Sequence, residues 1–275
     1  MRPGPHPLPP RTPGAYIPFM RILFLGDIVG RPGRTLVRER AQALRRELGL
    51  DLLLANAENA SAGLGLSAKN AAELLADCDA LTSGNHIWRY RDLLPVLESE
   101  ERLLRPWNYP GGPGRGLCVL RPENAPAVAL INLQGRVFMD PVDCPFRAAE
   151  AALAALPEDV AIRIIDFHAE ASSEKIGLAL HLDGKVSAVI GTHTHVQTAD
   201  ACVLPGGTGF LTDAGMCGPF PSCLGMEPQA VLRRFLTGLP ERFEVAGTPA
   251  RLRGALLDID AATGRCQKIE AWAEG

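Results

Sequence analysis

The chain has 275 residues, 47% of them hydrophobic and 21% charged, with a formal net charge of −3. That composition fits a globular protein with a sizeable core, and it argues against broad electrostatic binding to long nucleic acid or an anionic membrane surface. The seven cysteines are scattered, odd in number and free of any C-x-x-C pair. A disulfide framework or cysteine-held zinc is therefore not expected, a reducing cytoplasm is, and no apolar run is long enough to span a bilayer.

Seven prolines fall in the first eighteen residues. Residues 1–19 are expected to form a disordered extension, with Met20 as a natural first residue and a single domain over 20–275. Arg21 to Leu25 is a compact apolar strand stopped by Gly26, and Asp27 follows at once. Val37, Ala41, Leu44 and Leu48 recur at helical spacing up to Gly49. Gly30-Arg31-Pro32-Gly33-Arg34 before them is expected to be a solvated turn rather than a phosphate site. Leu52 to Ala55 is a second strand, ending in Asn56-Ala57-Glu58-Asn59. Ser67 is a candidate cap for a helix to about Ala76, with Ala71, Leu74 and Leu75 inward.

A short strand at Ala80 to Thr82 runs into Ser83-Gly84-Asn85-His86, and a helix is expected from Tyr90 to Glu98. Leu117 to Leu120 and Ala127 to Leu133 read as a hairpin. In the stretch from Gln134 to Met139, Phe138 is expected to pack in the core rather than to stack on a base. A helix begins at Pro145, and a strand from Ile162 to Phe167 delivers His168. Ser172 or Ser173 is the expected cap of a helix with Ile176, Ala179 and Leu180 on one side and His181 on its surface. Val186 to Ile190 then leads into Gly191-Thr192-His193-Thr194-His195. Strands near Phe210, from Leu252 to Ile259 and near Ile269, with a helix from Gln229 to Leu236, complete the chain. Strand and helix alternate throughout, so the fold class is α/β on a largely parallel core.

Five of these strand ends carry metal-competent side chains: Asp27; Glu58 with Asn59; Asn85 with His86; His168; and His193 with His195. Ligands of α/β sheets collect outside the carboxyl ends of the strands. Four of the six histidines occupy such positions. Each site alone has an ordinary reading: a turn-forming Asp, a self-satisfying Asn loop, a surface ion pair between His168 and Asp166 or Glu170. Together, mixed oxygen and imidazole donors without thiolate suit a pair of Fe or Mn ions, with Zn also compatible. Two such ions serve phosphoryl displacement. Asp200 and Asp213 are candidates for orienting the histidines from behind.

Gly26-Asp27, Gly84-Asn85-His86 and Gly191 to His195 resemble the calcineurin-like metallophosphoesterases. Asp27-Ile28-Val29 has no histidine, however, and Glu58-Asn59 stands where an Asp is usual. These departures are similar to the YmdB-type branch, bacterial cyclic-nucleotide phosphodiesterases, as are G-D-I-V-G, N-A-E-N, G-N-H-x-W, R-P-x-N-Y-P and the segment from Asp166 to Lys175. The resemblance runs from Met20 to about Met226. It implies a four-layer α/β/β/α sandwich of central sheets flanked by helices. It also implies one metal held by Asp27, Glu58, Asn59 and His195, and a second held by Glu58, Asn85, His168 and His193. His86 is left as the acid that protonates a leaving ribose oxygen. The expected activity is hydrolysis of small cyclic nucleotides, 3′,5′ or 2′,3′, by a soluble homo-oligomer. A nuclease, a phosphomonoesterase and a regulatory binding protein on the same fold are the alternatives.

Overall fold

The computed structural model describes residues 19–123 and 125–275. The chain opens with β1 (Phe19–Leu25), the two-residue β2 (Asp27–Ile28), α1 (Gly30–Leu48), β3 (Leu52–Asn56), α2 (Ala68–Leu75) and β4 (Ala80–Thr82). After two single 3-10 turns come α3 (Leu94–Ser99), β5 (Leu117–Leu120), β6 (Val128–Gln134), α4 (Pro145–Ala154), β7 (Ile162–His168), α5 (Ser172–His181) and β8 (Ala188–Thr192). The rest is β9 (Cys202–Val203), β10 (Gly209–Leu211), β11 (Met216–Pro219), α6 (Pro228–Thr237), β12 (Ala250–Asp260) and β13 (Cys266–Glu274).

The strands form two sheets. One has the order β2-β11-β12-β1-β3-β4 with β13 also paired to β12, and the other runs β5-β6-β7-β8-β10-β9. Period-two alternation along each strand sorts its side chains between two faces. Ile22 and Phe24 of β1 meet Leu130 of β6, Ile164 of β7 and Ile190 of β8 in a core between the sheets. Leu23 and Leu25 point the other way, onto Val37, Ala41 and Leu44 of α1 and Leu74 of α2. Ile165 and Phe167 of β7 likewise face Ala149 and Ala152 of α4 and Leu178 of α5. Burying each large side chain contributes about 1.5–3 kcal/mol, so three apolar layers hold four structural ones. This is the expected α/β/β/α sandwich, with β1, β3 and β4 parallel in one sheet and β6, β7, β8 and β10 parallel in the other. Their carboxyl ends meet at one rim.

Four expectations need correction. Phe19 already pairs with Asp260 in β1, so the extension does not reach residue 19, and residues 1–18 lie outside the described ones. The helix from Tyr90 to Glu98 is instead two 3-10 turns, Ile87–Arg89 and Arg91–Leu93, before α3. Pro95 inside a longer helix would lose a hydrogen bond and clash one turn back, whereas in the first turn of α3 it fits. Helix α5 has no side-chain cap and turns a different face inward: Glu174, Lys175, Leu178 and Ala179 are buried, while Ile176 and Leu180 are exposed. Phe138 is 88% exposed rather than in the core.

Ser67 does cap α2, its Oγ accepting the Asn70 N–H at 3.4 Å. The Ser61 hydroxyl in turn accepts the Ser67 N–H at 2.8 Å and the Asn70 amide at 2.7 Å, tying the helix to the loop after Asn59. Ser67→Ala is expected to lower unfolding stability by about 1 kcal/mol in urea titration; no change would show the cap idle.

Candidate metal centre

All seven expected ligands and His86 come together at the rim. Asp27, Glu58, Asn59 and His168 are buried there, and Glu58 sits between the others. Glu58 Oε1 lies 3.1 Å from His168 Nε2, which is 3.0 Å from both Asn85 Oδ1 and His193 Nδ1. On the other side the Asn59 amide nitrogen lies 3.1 Å from Glu58 Oε1 and 3.0 Å from His195 Nε2. Asp27 Oδ2 accepts the His193 N–H at 3.0 Å, and Oδ1 is 4.0 Å from His195 Nε2.

The outer nitrogens fix which lone pairs face inward. Thr192 donates its hydroxyl to Asp166 at 2.7 Å and so accepts from His168 Nδ1 at 2.9 Å, leaving Nε2 for the site. His195 Nδ1 donates to the Leu224 carbonyl at 3.0 Å, which again leaves Nε2. His193 Nε2 pairs with Glu170 at 3.1 Å, leaving Nδ1. Both histidines of the last motif hold positive φ, 98° at His193 and 65° at His195. Such backbone strain persists where function and surrounding contacts impose it. Gly84 is required by close approach, since a Cβ there would overlap Glu58 Oε2 and the His168 ring.

The donor set fits cations. Asp27 Oδ1 is buried with no hydrogen-bond partner, an uncompensated acceptor that a cation would satisfy. Donor atoms of Glu58, His168 and His193 all lie within 4.8 Å of one another. Burial pushes the Asp27 carboxyl up, against the pull of His195 and His168. Burial works the same way on Glu58, yet His168 and His86 hold it well below the usual carboxylate range. Burial opposes charge on His168, but Glu58, Asp27 and Asp166 raise it to about 9. The field that draws a proton to that nitrogen would equally draw a metal cation. Burial, with His168 beside it, takes His193 down to about 3, so that ring stays neutral and able to ligate.

One expected ligand is turned the wrong way. Asn59 presents its NH2 to the site and gives its oxygen to His86 Nδ1 at 2.9 Å. An amide nitrogen has no lone pair to offer, so ligation by Asn59 needs the amide turned over.

Several supporting groups were not assigned from sequence. Asp166 accepts from Thr192, Thr82 and Asn56, and is not a surface ion pair. Burial pushes its carboxyl to about 6. Asp213 does support the histidine loop, accepting from Thr194 N at 3.1 Å and Thr194 Oγ1 at 2.8 Å. It also pairs with buried Lys175 at 2.8 Å. Asp200 instead holds Thr212, and among the described residues it bonds to no histidine. Arg34 is no free turn residue, for its guanidinium donates to the Ala60 carbonyl beside Asn59. The D-x-H-x-E spacing around His168 was the readable sign of Asp166 and Glu170; Lys175 closes the same motif, but nothing local showed that it is buried.

The YmdB-like protein family matches residues 23–272. A Bacillus subtilis protein named 2′,3′-cyclic-nucleotide 2′-phosphodiesterase is 44% identical over 253 residues, 91% of this chain and 96% of that protein. The crystal structure of a hypothetical protein from Thermus thermophilus superposes with a TM-score of 0.87 at 40% identity, covering 93% of this chain and 99% of the other. That of a phosphatase from Mycoplasma pneumoniae also gives 0.87, at 34% identity and 93% of each chain. Among the described residues, no helix is long and apolar enough to cross a membrane.

Proposed function

Since the chain belongs to the YmdB-like protein family, we propose that it is a metal-dependent phosphodiesterase that hydrolyses small cyclic nucleotides, 2′,3′-cyclic phosphates foremost. The observation that carries this reading is the buried carboxylate of Glu58, with His168 on one side and Asn59 beside His195 on the other. Asp27, Asn59 and His195 would hold one transition-metal ion and Asn85, His168 and His193 another, with Glu58 shared; iron or manganese suits this donor set. Bound there, the ions would supply Lewis acidity to the phosphoryl oxygens and a water acidic enough to act as nucleophile.

The chain's own groups do the rest. The Asp166–Thr192 pair keeps His168 in the tautomer that ligates, Leu224 and Glu170 do the same for His195 and His193, and the narrow space over Gly84 fixes Glu58. His86 is half-buried, with its backbone N–H on Glu58 Oε2 at 3.2 Å and Nδ1 facing Asn59 and Glu58. Once the Asn59 amide turns to ligate, Glu58 remains the acceptor for His86 Nδ1–H. As the acid, His86 would start with both ring nitrogens protonated, give the Nε2 proton to the leaving alkoxide and be left as the neutral ring. His86→Ala is expected to lower kcat by about 10²–10⁴ for a cyclic nucleotide while metal content stays that of the parent. Loss of metal in that variant would remove its role as acid.

The experiment for the activity itself is hydrolysis of adenosine 2′,3′- and 3′,5′-cyclic phosphates and of an RNA oligomer with added manganese. Chelator-sensitive turnover of the first is expected; turnover of none would refute the reading, and preference for the oligomer would favour a nuclease. We also place the protein in the cytoplasm, a location that its free cysteines suit. A homo-oligomer is proposed through Leu232, Phe235 and Leu236, exposed at helical spacing on α6, with exposed Leu239 just beyond its end. Light scattering giving only a monomer would refute it.

A further inference from the structure

A cavity of about 480 Å³ adjoins the centre and is not used by the chemistry above. His195 forms part of its wall, together with Met216, Phe220, Leu224, Arg251 and Arg253. It lies one residue layer from Asp27. The Gly215 carbonyl accepts the Asp27 N–H at 3.0 Å, and Gly215 packs so closely on the next strand that a Cβ there would stand 3.2 Å from Arg253 Cβ. The Arg253 carbonyl accepts the Gly26 N–H, also at 3.0 Å.

The lining combines charge with a flat apolar surface. Arg251 lies over the Phe220 ring with its guanidinium carbon 4.1 Å from the centroid. Arg253 is half-buried beside it, and burial first and the charge of Arg251 second lower its pKa. Elsewhere on this protein arginines find carboxylates, as Arg21 does with Asp258 and Arg40 with Glu274. Among the described residues, neither Arg251 nor Arg253 has such a partner. Two like charges kept together without a counter-charge form a site for an anion. A stacked arginine and aromatic ring with Met216 and Leu224 suit a sugar or base. The volume is that of a small-ligand pocket.

We propose that this cavity is a second subsite, taking a phosphate-bearing nucleoside portion of the substrate next to the phosphate held at the metal centre. This rests on the phosphodiesterase reading and refines it: the preferred substrate carries a second phosphate. Two sources share that chemistry, a short RNA end bearing a 2′,3′-cyclic phosphate and a free 5′-phosphorylated nucleoside 2′,3′-cyclic phosphate.

The test compares kcat/KM for adenosine 2′,3′-cyclic phosphate, its 5′-phosphorylated form and an ApA dinucleotide ending in a 2′,3′-cyclic phosphate. The metal-loaded parent and Arg251→Gln are measured side by side. The parent is expected to favour a second phosphate about tenfold, the worth of one charge-assisted hydrogen bond, and the variant to lose that preference. Preference for the dinucleotide alone points to RNA ends, and equal preference for both points to the phosphate itself. Equal treatment of all three by the parent, or an equal loss on all three in the variant, overturns the subsite. Calorimetric binding of adenosine 3′,5′-bisphosphate against adenosine 3′-phosphate reads the same site without turnover. If the parent hydrolyses no cyclic phosphate, tighter binding of the bisphosphate that disappears in Arg251→Gln still supports the subsite, and equal binding overturns it.

Discussion

Glu58→Ala is expected to purify without either transition-metal ion and to lose turnover by about a thousandfold or more, the several kcal/mol that metal stabilisation supplies. No other side chain can take the place of this carboxylate. Its Oε1 faces His168 on one side and Asn59 on the other, and both groups of donors lose their shared anion when it goes. The His86 N–H loses its acceptor as well. Glu58→Gln keeps the shape and removes the charge. It is expected to stay folded by circular dichroism and still to lose the ions, which separates failed ligation from failed folding. Elemental analysis finding two ions per chain in Glu58→Ala would rule out the shared carboxylate.

The second large effect lies behind the site. Lys175 and Asp213 are both about 1% exposed and form an ion pair at 2.8 Å. Asp213 also accepts from Thr194 N and Oγ1 and from Gly215 N at 2.8 Å. The pair therefore pins both the histidine loop and the Gly215 turn, whose carbonyl accepts the Asp27 N–H. Lys175→Ala leaves a buried carboxylate without its cation, which costs about 3–5 kcal/mol. For a domain of this size that is a fall in Tm of about 6–20 °C. Urea unfolding should show it directly, with metal content reduced because Thr194 no longer sits firmly between His193 and His195. A change below about 1 kcal/mol would mean that water replaces the ammonium at no loss.

Lys175 also marks where hydrophobic spacing misleads. Ile176, Ala179 and Leu180 gave α5 a believable apolar face, yet the helix turns Glu174 and Lys175 inward. Each has a polar task reached only through tertiary structure: Glu174 accepts the N–H groups of Arg136 and Val137, and Lys175 meets Asp213. Burial of charge decided by a distant partner leaves no trace in local hydrophobic spacing. Phe138 escaped for a related reason, because the turn that Glu174 anchors holds it outward at φ 62°. The strands were legible because apolar runs ending at Gly26, Asn56 and Gly191 are short and bounded. The clustering of the candidate site residues was legible because each lies at or shortly after the end of such a run. The orientation of the Asn59 amide and the task of Asp166 were not, since both depend on neighbours more than twenty residues away.

The most direct measurement is a crystal structure of the purified protein with anomalous scattering recorded at the Fe, Mn and Zn edges. Two peaks roughly 3.5–4 Å apart are expected, one on either side of Glu58, the first within reach of Asp27 and His195 and the second of His168 and His193. A single peak away from Glu58, or no transition-metal signal in protein that turns over substrate, would contradict the dinuclear centre.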